Sequence, residues 1–266
     1  MLAEPPPPTV LRELGVRAVE TGTAAPESIW WRVHRTEGDH VLAWNALRTF
    51  GPLLRFDPHP LPKGEYADRG AWYAASTPGG ALGEAYQVDR TIDRDRGRPY
   101  LTGLSFTRAL TVLDLATDSE GAWVTRAGGT FAISTAPHAL TQRWARHIVE
   151  AFPDLDGLRY NSRFAGEACL VLFTPAATAM PQRPKISLPL THPDLASRLA
   201  GAARRLGYGV VWVPVDSRRH CCPVGDTVPE CATRLIRRCR YCCAPTVPCR
   251  SAGIPTARYW SARQRV

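Results

Sequence analysis

Hydrophobic and polar positions follow two different periods along this chain, and the period predicts the type of each element. Short runs rich in aromatic and β-branched residues predict strands at 29–33, 71–75, 104–115, 158–162, 169–173 and 210–213. Apolar residues at helical spacing predict helices at 10–20, 137–152 and 193–206, with Gly207 as the C-cap of the last. This mixture of strands and helices predicts an α+β fold.

A further predicted helix carries an acidic residue on its apolar face. Thr77 is suited to the N-cap and Pro78 to the first helical position, so the helix continues through GGALGEAYQV. Three apolar residues share one face by i, i+4, i+7 spacing: Ala81, Ala85 and Val88. Glu84 falls within that face, where a carboxylate is seldom merely solvated. Glu84 is therefore a candidate functional residue, and the alternative is an ion pair with an arginine at a helix surface.

Composition divides the chain into three parts. Residues 1–27 begin with the polyproline run Pro5–Pro8 and are predicted to be a partly disordered leader. Residues 28–216 form the main domain, and residues 45–69 within it read as a long Pro- and Gly-rich loop of functional importance. Residues 217–266 are an Arg- and Cys-rich extension that we expect to be disordered.

The extension accounts for most of the charge and most of the cysteine. The net charge is +9, yet residues 1–216 hold 23 basic and 22 acidic residues, whereas 217–266 hold ten arginines and two acids. Direct nucleic-acid binding by the main domain is therefore not expected. Seven of the eight cysteines lie at 221–249, in doublets that fit poorly with the spacing of zinc ligands. We interpret residues 217–266 as a disordered extension, or as the read-through or out-of-frame end of a gene, rather than as a zinc module. We predict no metal site.

Four blocks of the main domain occur in an order that resembles a known family. They read WWRV, RFDP, WYAASTPGGALGE and YNSRFAGEACLVLF. Together they resemble the RES domain, named for an Arg, a Glu and a Ser, whose counterparts here are Arg32, Glu84 and Ser162. Two further family positions, a second arginine and a tyrosine, are matched by Arg55 and Tyr73. Arg35 is an alternative to Arg32. The resemblance covers roughly residues 28–211.

The resemblance implies a fold, a substrate and a partner. RES proteins are similar to ADP-ribosyltransferases, which have a bent β core flanked by helices. Many are toxins of toxin–antitoxin pairs that deplete NAD, by hydrolysis or by phosphorolysis with inorganic phosphate, and some relatives modify a protein instead. The resemblance thus implies NAD as substrate rather than a bound cofactor, and a separate Xre-like antitoxin protein as partner.

The residue types suit the cleavage of the nicotinamide–ribose bond. Arginines such as Arg32 and Arg55 bind pyrophosphate through bidentate contacts. Nicotinamide in NAD is a cationic leaving group, so cleavage builds positive charge on the ribose, as in glycoside hydrolysis. Glu84 would stabilise that charge, Tyr73 would stack on a ring or on the ribose face, and Ser162 would hydrogen-bond the ribose or the amide.

Three functions stay open at this point. The first is an NAD phosphorylase or NAD glycohydrolase, the second is a protein ADP-ribosyltransferase, and the third is a nucleic-acid- or partner-binding protein that uses the basic extension. All seven histidines are interpreted as structural or surface residues, because none shows catalytic or metal-ligand spacing. No secretion signal or membrane span is recognised, so the expected compartment is the cytoplasm.

Overall fold

The computed structural model of the protein describes residues 2–211. Within them the α-helices are α1 (Pro8–Leu14), α2 (Pro78–Ala85), α3 (Trp123–Arg126), α4 (His138–Ala151) and α5 (Ala196–Leu206). The first six strands are β1 (Thr21–Ala24), β2 (Trp30–Arg35), β3 (Phe50–Gly51), β4 (Gly64–Glu65), β5 (Trp72–Ala75) and β6 (Thr91–Asp93). The remaining strands are β7 (Pro99–Leu104), β8 (Leu110–Asp114), β9 (Gly157–Asn161), β10 (Ala168–Leu172), β11 (Ile186–Pro189) and β12 (Gly209–Val211).

A mixed eight-stranded sheet organises the fold, in the order β1-β8-β9-β10-β5-β2-β7-β11. Its neighbouring strands are antiparallel except for β8 and β9. Two small two-stranded sheets, β3 with β4 and β6 with β12, lie outside it. With helices packed on this sheet, the predicted α+β class is confirmed.

Each face of the sheet buries its own apolar core, because side chains alternate between the faces along every strand. On β5, Tyr73 and Ala75 join the larger core, in which Trp123 and Trp144 of α3 and α4 are fully buried. Trp72 and Ala74 of the same strand face the smaller core on the other side. This alternation decides which residues meet at the site described below.

The predicted leader is instead part of the domain. Leu11 of α1 is fully buried in the larger core, and β1 pairs with β8 as an edge strand of the main sheet. Glu20 is also buried, where it accepts two hydrogen bonds from the guanidinium of Arg126. The predicted boundary at residue 28 is therefore wrong, because the polyproline run gave no sign of the apolar contacts that follow it.

Most predicted elements are confirmed near their predicted bounds. The helix predicted at 137–152 is α4, and the strands predicted at 158–162 and 169–173 are the antiparallel pair β9 and β10. Gly207 ends α5 in the left-handed conformation, with φ of 67°. The helix predicted at 10–20 is shorter, ending at Leu14 before a separate 3-10 turn at Ala18–Glu20. The extension at 217–266 lies outside the described residues.

Candidate active site

A cleft opens where strands β2 and β5 separate. In the described part of the sheet, β2 pairs with β7 along its whole length but with β5 only at Trp31 and Ala75. A continued antiparallel ladder would pair Val33 with Tyr73, yet both residues line a cleft of about 410 Å³ instead. All five residues of 71–75 line it, so the cleft follows the open edge of β5 and is reached from both faces of the sheet. Its volume falls within the range of small-molecule sites, roughly 300–1,000 Å³.

Helix α2 brings Glu84 to the cleft. The helix begins as the sequence predicts, with the Thr77 side chain accepting a hydrogen bond from the amide of Gly80 at 3.0 Å. A Cβ atom on Gly80 would lie 2.9 Å from the Cβ of Ala75, so glycine is what allows α2 to pack this closely on β5. Glu84, one turn further along, lines the cleft.

The apolar face predicted for α2 is wrong in part. Ala81 is buried, but Ala85 is exposed. The helix ends at Ala85, so Val88 does not continue its face, and Val88 is 89% exposed. Glu84 is half-buried at the boundary between the buried and exposed sides of the helix. The carboxylate is thus not a core residue, and it faces an accessible cleft.

Ser162 holds the Glu84 carboxylate from the end of β9. Its hydroxyl donates to Glu84 Oε1 at 2.6 Å and accepts from the amides of Phe164 and Ala165 at 3.2 and 3.1 Å. Ser162 is itself buried, so this contact is shielded from water. The two backbone donors orient the hydroxyl, which leaves its proton for the carboxylate.

Burial and the polar neighbours of Glu84 shift its pKa in opposite directions. Burial raises the pKa of Glu84 above its ordinary value of 4.5, while the Ser162 hydrogen bond and the positive charges of Arg55 and Arg163 act to lower the pKa. The same arrangement places the Glu84 carboxyl group among cationic side chains.

Arg55 is buried, and its loop is fastened to the start of α4. Its guanidinium donates to the carbonyl of Ala136, and its own carbonyl accepts from the hydroxyl of Thr141 at 2.5 Å. Burial and the nearby charge of Arg163 lower the pKa of Arg55. Within residues 2–211 Arg55 forms no salt bridge, and it lines the cleft.

A buried carboxylate, Asp57, ties the Arg55 loop to β5. It accepts from the guanidinium of Arg48 at 2.7 Å, from the amides of Leu53 and Leu54 at 2.5 and 2.9 Å, and from the hydroxyl of Tyr73 at 2.8 Å. The Tyr73 hydroxyl is therefore committed to the loop, while the residue also lines the cleft. Asp57 is a supporting residue that sequence reasoning missed, although it lies within the RFDP block.

Arg32 reaches the cleft from the opposite face of the sheet to Tyr73. Its guanidinium lies over the Trp72 ring at 5.2 Å and donates to the carbonyl of Trp44 at 3.1 Å, while its Nε is buried without a hydrogen-bond partner in the described structure. Burial, with a smaller contribution from Arg48, lowers the pKa of Arg32 to about 10, so the side chain is charged at neutral pH. No carboxylate within residues 2–211 forms a salt bridge with it.

Arg35 differs from Arg32 in exposure and in its neighbours. It is exposed at the end of β2, and its charge lowers the pKa of Asp93. Both arginines line the cleft, but the charge of Arg32 is half-buried and has no carboxylate partner in the described region. An uncompensated buried cation is costly unless an anion binds to it, so the structure favours Arg32 over Arg35 as an anion ligand.

Three other residues lie at or near the cleft, and sequence reasoning did not single them out. His138 and Tyr160 line it, and Arg163 is close enough to affect the pKa of both Glu84 and Arg55. His138, which the sequence analysis interpreted with the other histidines as a structural or surface residue, therefore lies at the cleft. Its only sequence signal is its position at the start of a strongly predicted helix.

Within the part of the chain that the structure describes, no group of three or more His, Cys, Asp or Glu side chains is arranged to hold a metal ion. In the same region no helix has the length and apolar character needed to cross a membrane.

Comparison with known proteins identifies the family. Residues 29–191 match the sequence profile of the RES domain. The chain belongs to the RES domain family. All five predicted site residues of this RES domain, Arg32, Arg55, Tyr73, Glu84 and Ser162, lie within the matched region.

Among solved structures, the RES protein is similar to a chain in the crystal structure of the M. tuberculosis MbcT-MbcA toxin-antitoxin complex. The two share 20% sequence identity with a TM-score of 0.49, over 72% of this chain and 97% of the other. No curated protein matches this sequence.

Proposed function

We propose that this RES domain protein consumes NAD by breaking the bond between nicotinamide and ribose. The observation that carries the proposal is the Glu84 carboxylate, which accepts a hydrogen bond from buried Ser162. The same cleft holds two arginines, buried Arg55 and half-buried Arg32, that have no carboxylate partner in the described region. A dianionic pyrophosphate would compensate both cations, which a neutral ligand would not.

Each predicted residue has a role in this proposal. Arg32 and Arg55 bind the pyrophosphate, and the Tyr73 ring packs against the nicotinamide or the ribose. Glu84 stabilises the positive charge that develops on the ribose as nicotinamide departs. Ser162 fixes the Glu84 carboxylate through its hydroxyl hydrogen bond. Nicotinamide needs no general acid, because it leaves as a neutral ring.

The test is incubation of the purified full chain with NAD, in the presence and absence of inorganic phosphate, with identification of the products. We expect free nicotinamide in both cases, with ADP-ribose as the co-product of hydrolysis and ADP-ribose-1″-phosphate as that of phosphorolysis. Radiolabel that becomes attached to a protein would instead indicate ADP-ribosyl transfer. NAD that stays intact under all conditions would refute the proposed function.

We further propose that the protein is the toxin of a toxin–antitoxin pair in the cytoplasm, with an Xre-like antitoxin as its partner, on the basis of its family. Expression of the active chain in a bacterial host should lower cellular NAD and stop growth. A Glu84→Gln variant expressed to the same level should do neither, because it keeps the fold without the charge. Normal growth with rapid NAD loss would contradict the toxin role but not the chemistry.

A further inference from the structure

His138 is a cleft residue to which the reaction described so far assigns no role. It is the first residue of α4, its side chain is half-buried, and it lines the same cleft as Glu84 and Tyr160. Within residues 2–211 neither of its ring nitrogens forms a hydrogen bond or an ion pair, whereas the adjoining Arg55 is anchored at both its side chain and its backbone. The imidazole is therefore available to a molecule in the cleft.

The surroundings keep this imidazole neutral. Burial and the charges of Arg55 and Arg163 lower the pKa of His138 below its ordinary value of 6.5, against an opposing effect of Asp57. The positive end of the α4 dipole acts in the same direction as the arginines. A neutral imidazole with a free lone pair is a proton acceptor at neutral pH.

We propose that His138 is the general base that activates water as the acceptor of the ADP-ribosyl group. This inference rests on the proposed NAD cleavage. In the step, the water oxygen forms a bond to the ribose C1′ while the bond from C1′ to the nicotinamide nitrogen breaks. The electron pair of the broken bond stays on that nitrogen and neutralises the ring, and the proton lost by the water passes to His138. Glu84 is left free to stabilise the charge on the ribose and does not have to act as the base.

The role separates acceptors that must lose a proton from acceptors that need not. Water becomes a good nucleophile only as a base removes its proton. Azide is already an anion and attacks C1′ without proton loss. It forms the new C1′–N bond as nicotinamide leaves, and the product is an ADP-ribosyl azide. Replacement of His138 should therefore impair hydrolysis and spare transfer to azide.

The experiment compares the wild-type chain with His138→Ala, His138→Gln and the matched control His147→Ala. His147 lies on the same helix and hydrogen-bonds the carbonyl of Pro6 at 2.7 Å, away from the residues that line the cleft. Nicotinamide release and ADP-ribose formation are measured in phosphate-free buffer, with and without sodium azide, after thermal unfolding has established that each variant is folded.

We expect hydrolysis by both His138 variants to fall by at least about tenfold, since general bases contribute roughly 10²–10⁴-fold to a rate. Azide should restore nicotinamide release in His138→Ala and yield the azide adduct, while His147→Ala should behave like the wild type. Unchanged hydrolysis in folded His138 variants, or a loss that azide does not restore, would overturn the role. So would a wild-type enzyme that releases nicotinamide only when an anionic acceptor is present. A wild-type enzyme that releases no nicotinamide at all would instead refute the proposed function, and this inference with it.

Discussion

Replacement of Glu84 by glutamine is expected to lower the rate of NAD turnover by roughly a hundredfold or more, the scale seen when one preorganised electrostatic group is lost. The amide keeps the size of the side chain and can still accept the hydrogen bond from Ser162, but it removes the negative charge. Because positive charge on the ribose develops only on the way to the transition state, NAD affinity should change much less than turnover. Nicotinamide release and calorimetric titration with NAD measure the two quantities.

Two controls sharpen this result. Glu167→Gln neutralises a neighbouring half-buried carboxylate that accepts a hydrogen bond from Thr77, and it should leave turnover close to that of the wild type. Arg32→Ala should weaken NAD binding as well as turnover, because it removes a ligand of the pyrophosphate, whereas Arg35→Ala should weaken binding less. Normal turnover by Glu84→Gln would remove the carboxylate from the mechanism, and equal losses in the two arginine variants would remove the preference for Arg32.

The acid side of the pH profile should report the same carboxylate. Glu84 acts in its charged form, so activity is lost as the pH falls through its pKa. Burial raises that pKa, and the midpoint of kcat/KM should therefore lie above 4.5. In Glu84→Gln the contribution of this carboxylate to the acid limb should disappear, and the limb that remains should follow His138, which must be neutral to act as the base.

Replacement of Asp57 by alanine is expected to lower the free energy of unfolding by about 3–5 kcal/mol, which is the usual cost of removing one partner of a buried ion pair. The change would leave the Arg48 guanidinium, two backbone amides and the Tyr73 hydroxyl without their common acceptor. Urea denaturation followed by tryptophan fluorescence measures the loss.

The matched control for stability is Asp68→Ala in the same loop. Asp68 is exposed and its pair with Arg69 is 3.5 Å long, so its loss should cost under about 1 kcal/mol. If the two variants proved equally stable, the Asp57 cluster would not be what holds the Arg55 loop against β5.

Local sequence signals were sufficient to predict the helices and strands whose formation depends on neighbouring residues. The sequence predicted the N-cap at Thr77, the strand pair β9 and β10, and helix α4. These features are predictable because capping, strand propensity and helical period act within a few residues. The order of four short blocks was likewise sufficient to recognise the family, and the family in turn indicated the candidate residues Arg32, Glu84 and Ser162.

Tertiary contacts alone decided which residues are buried and where the cleft lies. Periodicity tells which residues share a face but not which element covers it, so the burial of Leu11, the exposure of Val88 and the place of His138 in the cleft could not be derived from spacing. The cleft itself exists because β2 and β5 separate after a single residue pair, Trp31 with Ala75, and strand pairing between distant segments leaves no local trace in either one. The same separation lets Arg32 and Tyr73, which project from opposite faces of one sheet, line a common cavity.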